Sequence, residues 1–377
     1  MKKVLFVATV AKHHIVHFHI PYLKWFKEKG FETHVCAKND FSENEDWVIP
    51  YCDKYFDLKF ERNPISLGNF NVYKELKKIL EQNEYDIIHC HTPVASVLLR
   101  LAARNVRKKG TVVIYTAHGF HFYKGASLTN WILYYPIEKF LSKYTDVLLT
   151  INNEDYERAL KGNFNCKEIK IVNGVGVNFS KFFPVNKNEK LELREKYNLK
   201  NEFVALYVAE MNYGKHQDLI INATKDIINN ISNFKLLLVG TGDMIENYKK
   251  QAIELNVDKH IDFLGYRKDV DYLMKISDIY ISCSRREGLP VNVMEAMATG
   301  LPLIVTDCRG NRDLVCDKEN GYIIEIDDCK KLVKNILYLF NNQSICEMMR
   351  KNNIEKIKKF ELDKIIDDMG QIYSRYL

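Results

Sequence analysis

The stretch that decides the fold lies between residues 279 and 305. It reads Ile279-Tyr280-Ile281-Ser282, then Arg285-Arg286-Glu287-Gly288-Leu289-Pro290, then Val291-Asn292-Val293-Met294-Glu295-Ala296-Met297-Ala298-Thr299-Gly300, then Leu303-Ile304-Val305. The first and last runs are nearly continuous in apolar residues and rich in β-branched ones, the mark of strands buried on both faces. Gly288 permits a sharp turn and close ligand approach. Pro290 suits the first turn of a helix, where its missing N–H costs nothing. Gly300 fits the C-terminal stop of that helix. A strand, a glycine turn and free helix N–H groups make an anion site at the carboxyl edge of a parallel sheet. Glu287 lies in the turn and Glu295 one or two turns into the helix. A carboxylate near a helix N-terminus is expected to stay ionised and to accept hydrogen bonds from a vicinal diol.

Working outward, the same alternation of strand and helix fills the chain. Strand-like runs fall at residues 4–9, 33–37, 86–91, 112–118, 146–152 and 169–173, and a second series at 204–209, 235–240, 261–265, 279–282, 303–307 and 322–326. Strand–helix–strand repetition predicts parallel sheets with right-handed crossovers. Two series of six imply an α/β protein of two doubly wound, Rossmann-like domains. The expected N-terminal domain is 1–183. A polar, Lys/Glu/Asn-rich connection spans 184–202, and the C-terminal domain 203–359. A terminal helix at about 360–377 is expected to pack back on the first domain. No internal repeat or low-complexity segment interrupts this order.

Composition bounds the rest. The 377 residues are 46% hydrophobic and 28% charged, values of an ordinary globular enzyme that exclude a disordered chain or a small disulfide scaffold. No apolar window approaches the length of a membrane span. The N-terminal apolar run is too short for a signal peptide and reads as a first buried strand. Nine cysteines without a CxxC pair read as reduced thiols of a cytoplasmic protein. The net charge of +6 sits in residues 1–180, with 25 Lys/Arg against 19 Asp/Glu, while the remainder is balanced. Residues 101–150 hold seven basic and two acidic groups. The helix-like segment 96–109 carries Arg100, Arg104, Arg107, Lys108 and Lys109, and Phe120, Phe122, Tyr123, Lys124, Trp131, Tyr134 and Tyr135 follow. Basic groups among aromatics suit an anionic membrane surface. No nucleic-acid motif is present.

The Glu287 to Glu295 segment resembles the E-x7-E signature of retaining glycosyltransferases of family 4, which have the GT-B fold. Other segments agree in order. Val172-Asn173-Gly174-Val175-Gly176-Val177-Asn178 with Phe182 and Pro184 resembles the family's segment before its interdomain linker. Leu238-Val239-Gly240-Thr241-Gly242 resembles its glycine strand-turn, and Phe263-Leu264-Gly265-Tyr266 its base-binding turn. Thr306-Asp307 through Leu314 resembles the loop after the next strand. The N-terminal half is similar to bacterial exopolysaccharide and capsule enzymes at Ala8-Thr9-Val10, His17-Phe18-His19, Tyr115-Thr116-Ala117-His118-Gly119-Phe120-His121-Phe122 and 131–139. The resemblance implies GT-B architecture, with the two domains facing across a cleft.

Site residues follow from the same resemblance. Glu295 would bind nucleotide ribose hydroxyls and Glu287 those of the transferred sugar. Backbone from Gly288 and Leu289 through Pro290, Val291, Asn292 and Val293 would face the diphosphate or sugar, with Gly240, Gly242, Gly265, Tyr266 and Arg286 completing the donor site. Lys215 matches the family's phosphate lysine. His118 matches the histidine that contacts the sugar at the reaction centre. The implied ligands are a nucleotide-sugar donor (a UDP-sugar favoured, a GDP-sugar possible) and a lipid-linked saccharide acceptor. The implied setting is the inner face of the cell membrane, with other polysaccharide-assembly proteins as possible partners.

One departure stands out. The family carries Gly-Arg just before the lysine, whereas this chain has Glu210 in Val208-Ala209-Glu210-Met211-Asn212-Tyr213-Gly214-Lys215. An acid there repels a diphosphate, so Arg286 or Arg312 is expected to pair with Glu210 or reach the phosphates. The histidines form a separate group. His13, His14, His17 and His19 are dense, and His89 and His91 flank Cys90. A metal site and acceptor contacts are both readings of this group. Because no spacing is diagnostic of a metal, His14, His17, His91 and His121 are taken as acceptor candidates and no obligatory divalent ion is expected. Asp269-Val270-Asp271 reads as a helix cap rather than a metal motif. Two rival functions share the fold pattern: a sugar-nucleotide 2-epimerase, and a non-catalytic nucleotide-binding scaffold, which Glu210 alone favours.

Overall fold

The structure is a computed structural model and describes residues 1–42, 47–61, 63 and 66–377. The chain divides into two compact units. One comprises Met1–Val175 with Asp363–Leu377, the other Gly176–Leu362.

The first unit holds seven parallel strands: β1 (Lys3–Val10), β2 (Glu32–Lys38), β3 (Lys54–Asp57), β4 (Ile87–His91), β5 (Val112–Ala117), β6 (Val147–Thr150) and β7 (Glu168–Ile171). Their order across the sheet is β3-β2-β1-β4-β5-β6-β7. The sequence predicts six of these. It misses β3, whose Lys-Tyr-Phe-Asp run is short, half exposed and sits at the edge of the sheet, so it lacks the apolar continuity of its neighbours. The period-2 geometry of a strand splits the core into two layers. Leu5 and Val7 join Ile88, Cys90, Val113 and Tyr115 on one face. Val4 and Phe6 join Ile87, Ile114, Val147 and Leu149 on the other.

That second face is closed by the C-terminal helix Leu362–Ser374. Ile365, Met369, Ile372 and Tyr373 enter its core. Tyr373 packs on Phe26 and Trp25, and its hydroxyl lies 2.8 Å from Nδ1 of the buried His89. Gly370 lets the helix sit directly on Trp25, because a Cβ there would stand 2.7 Å from the indole nitrogen.

The second unit repeats the architecture with six parallel strands. These are β8 (Phe203–Val208), β9 (Phe234–Val239), β10 (Ile261–Gly265), β11 (Ile279–Ser282), β12 (Leu303–Thr306) and β13 (Gly321–Ile324), ordered β10-β9-β8-β11-β12-β13. Both sheets are therefore doubly wound, with the strand order reversing between β1 and β4 in one and β8 and β11 in the other. Ligands of such sheets bind where the order reverses, beyond the strands' carboxyl ends. The helix Lys187–Lys196, within the segment expected as a connection, is fastened to the second unit. Lys190 and Arg194 reach Asp278 at 2.7 and 2.6 Å, and the same carboxylate accepts the Val204 N–H.

All nine cysteines are free. Cys36, Cys90, Cys283 and Cys308 are buried, and Cys316 is exposed. No helix among the described residues is long and apolar enough to cross a membrane.

Among the described residues, Tyr373 is the hydrogen-bond partner of His89 Nδ1, and Tyr373→Phe leaves that buried nitrogen unsatisfied. The expected loss is about 1–2 kcal/mol in the unfolding free energy of the first unit, read by urea denaturation.

Candidate functional site

At the reversal point of the second sheet, the loop after β8 and the loop after β11 meet. Lys215 Nζ stands 2.6 Å from Glu287 Oε1, with the glutamate nearly buried and the lysine a quarter exposed. Several contacts fix this pair. Asn212 Oδ1 accepts the Lys215 N–H at 3.0 Å, the Tyr207 hydroxyl donates to the Lys215 carbonyl, and the Arg285 N–H donates to the Gly214 carbonyl. His216 follows in the left-handed region (φ 57°) and opens the helix Gln217–Ile228. On the other side, Arg309 Nε donates to the Glu287 carbonyl at 2.8 Å.

Glycine is needed where backbones touch. A Cβ on Gly240 would stand 2.0 Å from the Ala209 carbonyl oxygen, and one on Gly242 2.2 Å from that of Met211. So the glycine turn after β9 braces the loop that carries Lys215. A Cβ on Gly310 would likewise strike the Gly288 carbonyl at 2.5 Å. Neither Tyr207 nor Arg309 carries a signal in the sequence that separates it from ordinary core and helix residues.

The helix Val291–Ala298 starts at Pro290 as read from the sequence. Asn292 ties its first turn to the sheet, since Nδ2 donates to the Val208 carbonyl and Oδ1 accepts the Val293 N–H. Glu295 differs from expectation. It lies beyond the helix's free N–H groups, and burial pushes its carboxyl up to about 8. Lys181 opposes this shift and Asp271 adds to it. Gly265 takes a positive φ of 63° at the end of β10, and Tyr266 beside it is exposed.

The Glu210 carboxylate accepts a hydrogen bond from Asn212 Nδ2 at 2.9 Å, and Arg312 pairs at 2.9 Å with Asp307, which lies just before its helix. One further expectation is corrected. Asp269 precedes the helix Val270–Ile276 but makes no side-chain cap. Its carboxylate is drawn to Arg267 and to the Tyr197 hydroxyl, and the Arg267 hydrogen bond holds it down at about 2.

The first sheet has its own cluster at the β1/β4 reversal point. β1 runs into a short π-helix, Ala11–Val16, that carries His14, and His19 follows it. His91 ends β4 and His118 follows β5. Rings of His19 and His91 stack at 3.8 Å, and His14 meets His118 at 5.0 Å. Burial lowers all four pKa values, that of His118 to about 4, and mutual repulsion lowers those of His14, His19 and His91 further. Each ring is thus a neutral imidazole at pH 7. The other two candidates stand apart from this group. His17 is exposed beside Phe18, and His121 stacks on Tyr134 at 4.6 Å.

The basic, aromatic surface also takes a different form. Phe120 and Phe122 are buried in the core. Arg100 is buried with Glu138 at 2.8 Å, and Arg107 reaches Asp146 at 2.9 Å. The exposed apolar side chains are Leu128, Ile132, Leu133, Ile137 and Phe140, one stripe of the helix Leu128–Ser142.

Both units bear the imprint of one enzyme class. The description "Glycosyl transferase 4-like" matches residues 3–152, and "Glycosyl transferases group 1" matches residues 189–356. The chain is 41% identical to the "Putative glycosyltransferase EpsD" of Bacillus subtilis (strain 168), over 100% of this chain and 97% of that one. The chain belongs to the family-4 glycosyltransferases of the GT-B fold. A second relative is the Escherichia coli "UDP-Gal:alpha-D-GlcNAc-diphosphoundecaprenol alpha-1,3-galactosyltransferase", 31% identical over 82% of both chains. Among solved structures, Anabaena Alr3699/HepE in complex with UDP and glucose matches with a TM-score of 0.81, 17% identity and full coverage of both chains. That match speaks to the fold.

The raised Glu295 pKa makes a stability prediction. The folded chain holds this proton more tightly than the unfolded one, so wild-type stability declines as pH climbs from about 4.5 toward 8. Glu295→Gln lacks that decline. Urea denaturation at pH 5 and pH 9 should show the variant gaining about 2–4 kcal/mol on wild type across the interval. A constant difference overturns the assignment.

Proposed function

We propose that the protein is a retaining glycosyltransferase that moves a sugar from a UDP-sugar to a polyprenyl-linked saccharide in bacterial surface polysaccharide synthesis. The observation that carries this reading is the Lys215–Glu287 contact at the reversal point of the second sheet, eight residues before Glu295. Lys215 offers a fixed positive charge where the departing diphosphate gathers negative charge, the largest demand of glycosyl transfer. Glu287 accepts hydrogen bonds from hydroxyls of the transferred sugar. The Val291–Ala298 helix start presents its N–H groups to the same anion. His118 offers a neutral imidazole for a sugar hydroxyl. In front-face displacement the acceptor oxygen bonds to the anomeric carbon as the diphosphate leaves, and a phosphate oxygen takes the acceptor proton. No separate base is then needed. The choice of UDP is supported by the E. coli relative, whose name carries UDP-Gal, and by the UDP bound to HepE. The same E. coli name supports a diphosphoundecaprenol acceptor.

Membrane attachment is assigned to the helix Leu128–Ser142. Its exposed apolar stripe is flanked by exposed Lys139 and Lys143, with Lys143 over the Phe140 ring at 3.7 Å and Arg104 beside Tyr144. A stripe of this kind enters the headgroup boundary while its cations meet anionic lipid. Cosedimentation with phosphatidylglycerol vesicles should drop at least about tenfold for Ile132→Glu/Phe140→Glu, with nucleotide binding intact. Equal sedimentation removes this surface from the proposal.

Catalysis is tested by titrating the protein with UDP, GDP, ADP and CMP and by assaying transfer to a lipid-diphosphate sugar. Lys215→Ala is expected to lower turnover by about 10²–10³-fold. Because ribose hydroxyls favour the Glu295 carboxylate over the acid, UDP affinity should rise between pH 6 and pH 8 and lose that slope in Glu295→Gln. Binding of no nucleoside diphosphate, or hydrolytic isomerisation without an acceptor, overturns the reading.

A further inference from the structure

The histidines of the first sheet lead to a second conclusion that does not depend on the donor site. Among the described residues, one ring nitrogen from each of His14, His19, His91 and His118 lies within 4.8 Å of the others. His19 and His91 are almost completely buried. Nε2 of His14, both ring nitrogens of His19 and Nε2 of His91 are buried with no hydrogen-bond partner. His91 Nδ1 and His118 Nε2 face each other at 3.2 Å.

Other buried histidines of the same sheet show how the fold treats a ring that only packs. His89 has Tyr373 Oη and Thr116 Oγ1 on its two nitrogens, each at 2.8 Å. His34 has Tyr85 Oη and Glu32 Oε1, also each at 2.8 Å. Buried polar atoms are normally satisfied in this way. Orphaned nitrogens on three rings of one four-histidine cluster therefore call for a partner. His19, His91 and His118 border a cavity of about 10 Å³, room for a single small species, whose other walls include Tyr22, Thr116 and Val172.

We propose that His14, His19, His91 and His118 bind one divalent transition-metal cation, with Zn²⁺ the best fit. Four neutral imidazoles present four lone pairs and no carboxylate, a donor set that suits zinc and its neighbours and not Mg²⁺ or Ca²⁺. Zinc–nitrogen bonds of about 2.0–2.1 Å in a tetrahedron set nitrogens about 3.3 Å apart. His91 Nδ1 and His118 Nε2 already have that spacing. The other rings close on the ion by side-chain rotation. With four protein ligands the site has no open position, so the ion is structural, as closed zinc sites are. It ties the π-helical turn after β1 to the ends of β4 and β5, and it fixes the orientation of His118. Sugar transfer as described above is not routed through it.

The test uses full-length protein without a polyhistidine tag, stripped with chelator and titrated with Zn²⁺ against an indicator dye. One equivalent is expected, and Co²⁺ should give the visible spectrum of a tetrahedral nitrogen site. His14→Ala/His19→Ala should weaken zinc binding about 100-fold or more, while His13→Ala, at an exposed neighbour, should bind as wild type. No uptake by wild type, or equal uptake by the double variant, overturns the site. If circular dichroism shows the double variant unfolded, zinc-edge X-ray absorption of the wild type decides. Nitrogen neighbours at about 2.0 Å with imidazole scattering support the site, and sulfur at about 2.3 Å assigns the metal to cysteine and overturns it.

Discussion

The carboxyl edge of the second sheet depends on one ion pair. Lys215 and Glu287 are 72 residues apart and belong to loops that leave neighbouring strands at the point where the winding of the sheet reverses. Helices depart to opposite faces there, and a crevice opens that a backbone hydrogen bond, from the Arg285 N–H to the Gly214 carbonyl, spans beside the pair. The pair bridges it. Every bracing contact around it serves to hold those two charges together in a partly dry setting: Asn212 on the lysine loop, Arg309 on the glutamate carbonyl, and the glycines whose backbones lie against Ala209, Met211 and Gly288. Under the proposed function, a diphosphate arriving at the lysine would meet a cation whose position is already fixed, with little reorganisation left for the reaction step.

The two reversal points answer the same topological opening with different chemistry. In the second sheet the loops bring opposite charges together and a carboxyl whose proton burial retains. In the first sheet they bring neutral nitrogen bases together and leave several without a partner. The satisfied pair on His89 and the unsatisfied rings a strand away show that the difference is local. It is set by whether a hydroxyl from Tyr373 or Thr116 reaches the ring.

Much of this was legible in the sequence where the physics is local. Apolar runs revealed twelve of the strands, most of them buried on both faces and so without polar alternation, and the turn chemistry of Gly288 and Pro290 placed a helix start within a residue. The edge strand β3 escaped because an edge need not be apolar. Lys215 and Glu287 could be named individually, yet their contact is a product of topology. Direction was the hardest property to read. Arg100, Phe120 and Phe122 looked like a surface because cations stand beside aromatics in the chain, but Arg100 turns inward to Glu138, 38 residues away. The ionisation of Glu295 likewise depended on how deep in its helix the side chain sits. The four clustered histidines come from three separate elements, so no spacing could announce them.

The final helix, Leu362–Ser374, also governs the order of assembly. The first 175 residues emerge from the ribosome with one face of their sheet still bare at the places where Ile365, Met369 and Tyr373 later pack. An entire second unit must be synthesised before that cover arrives. The earlier-made half therefore waits with an exposed apolar surface, while the later-made half has every strand of its sheet within a single uninterrupted stretch. Domains that emerge intact fold as units during synthesis. Here the second half has all its strands in hand before the first half receives its last covering helix.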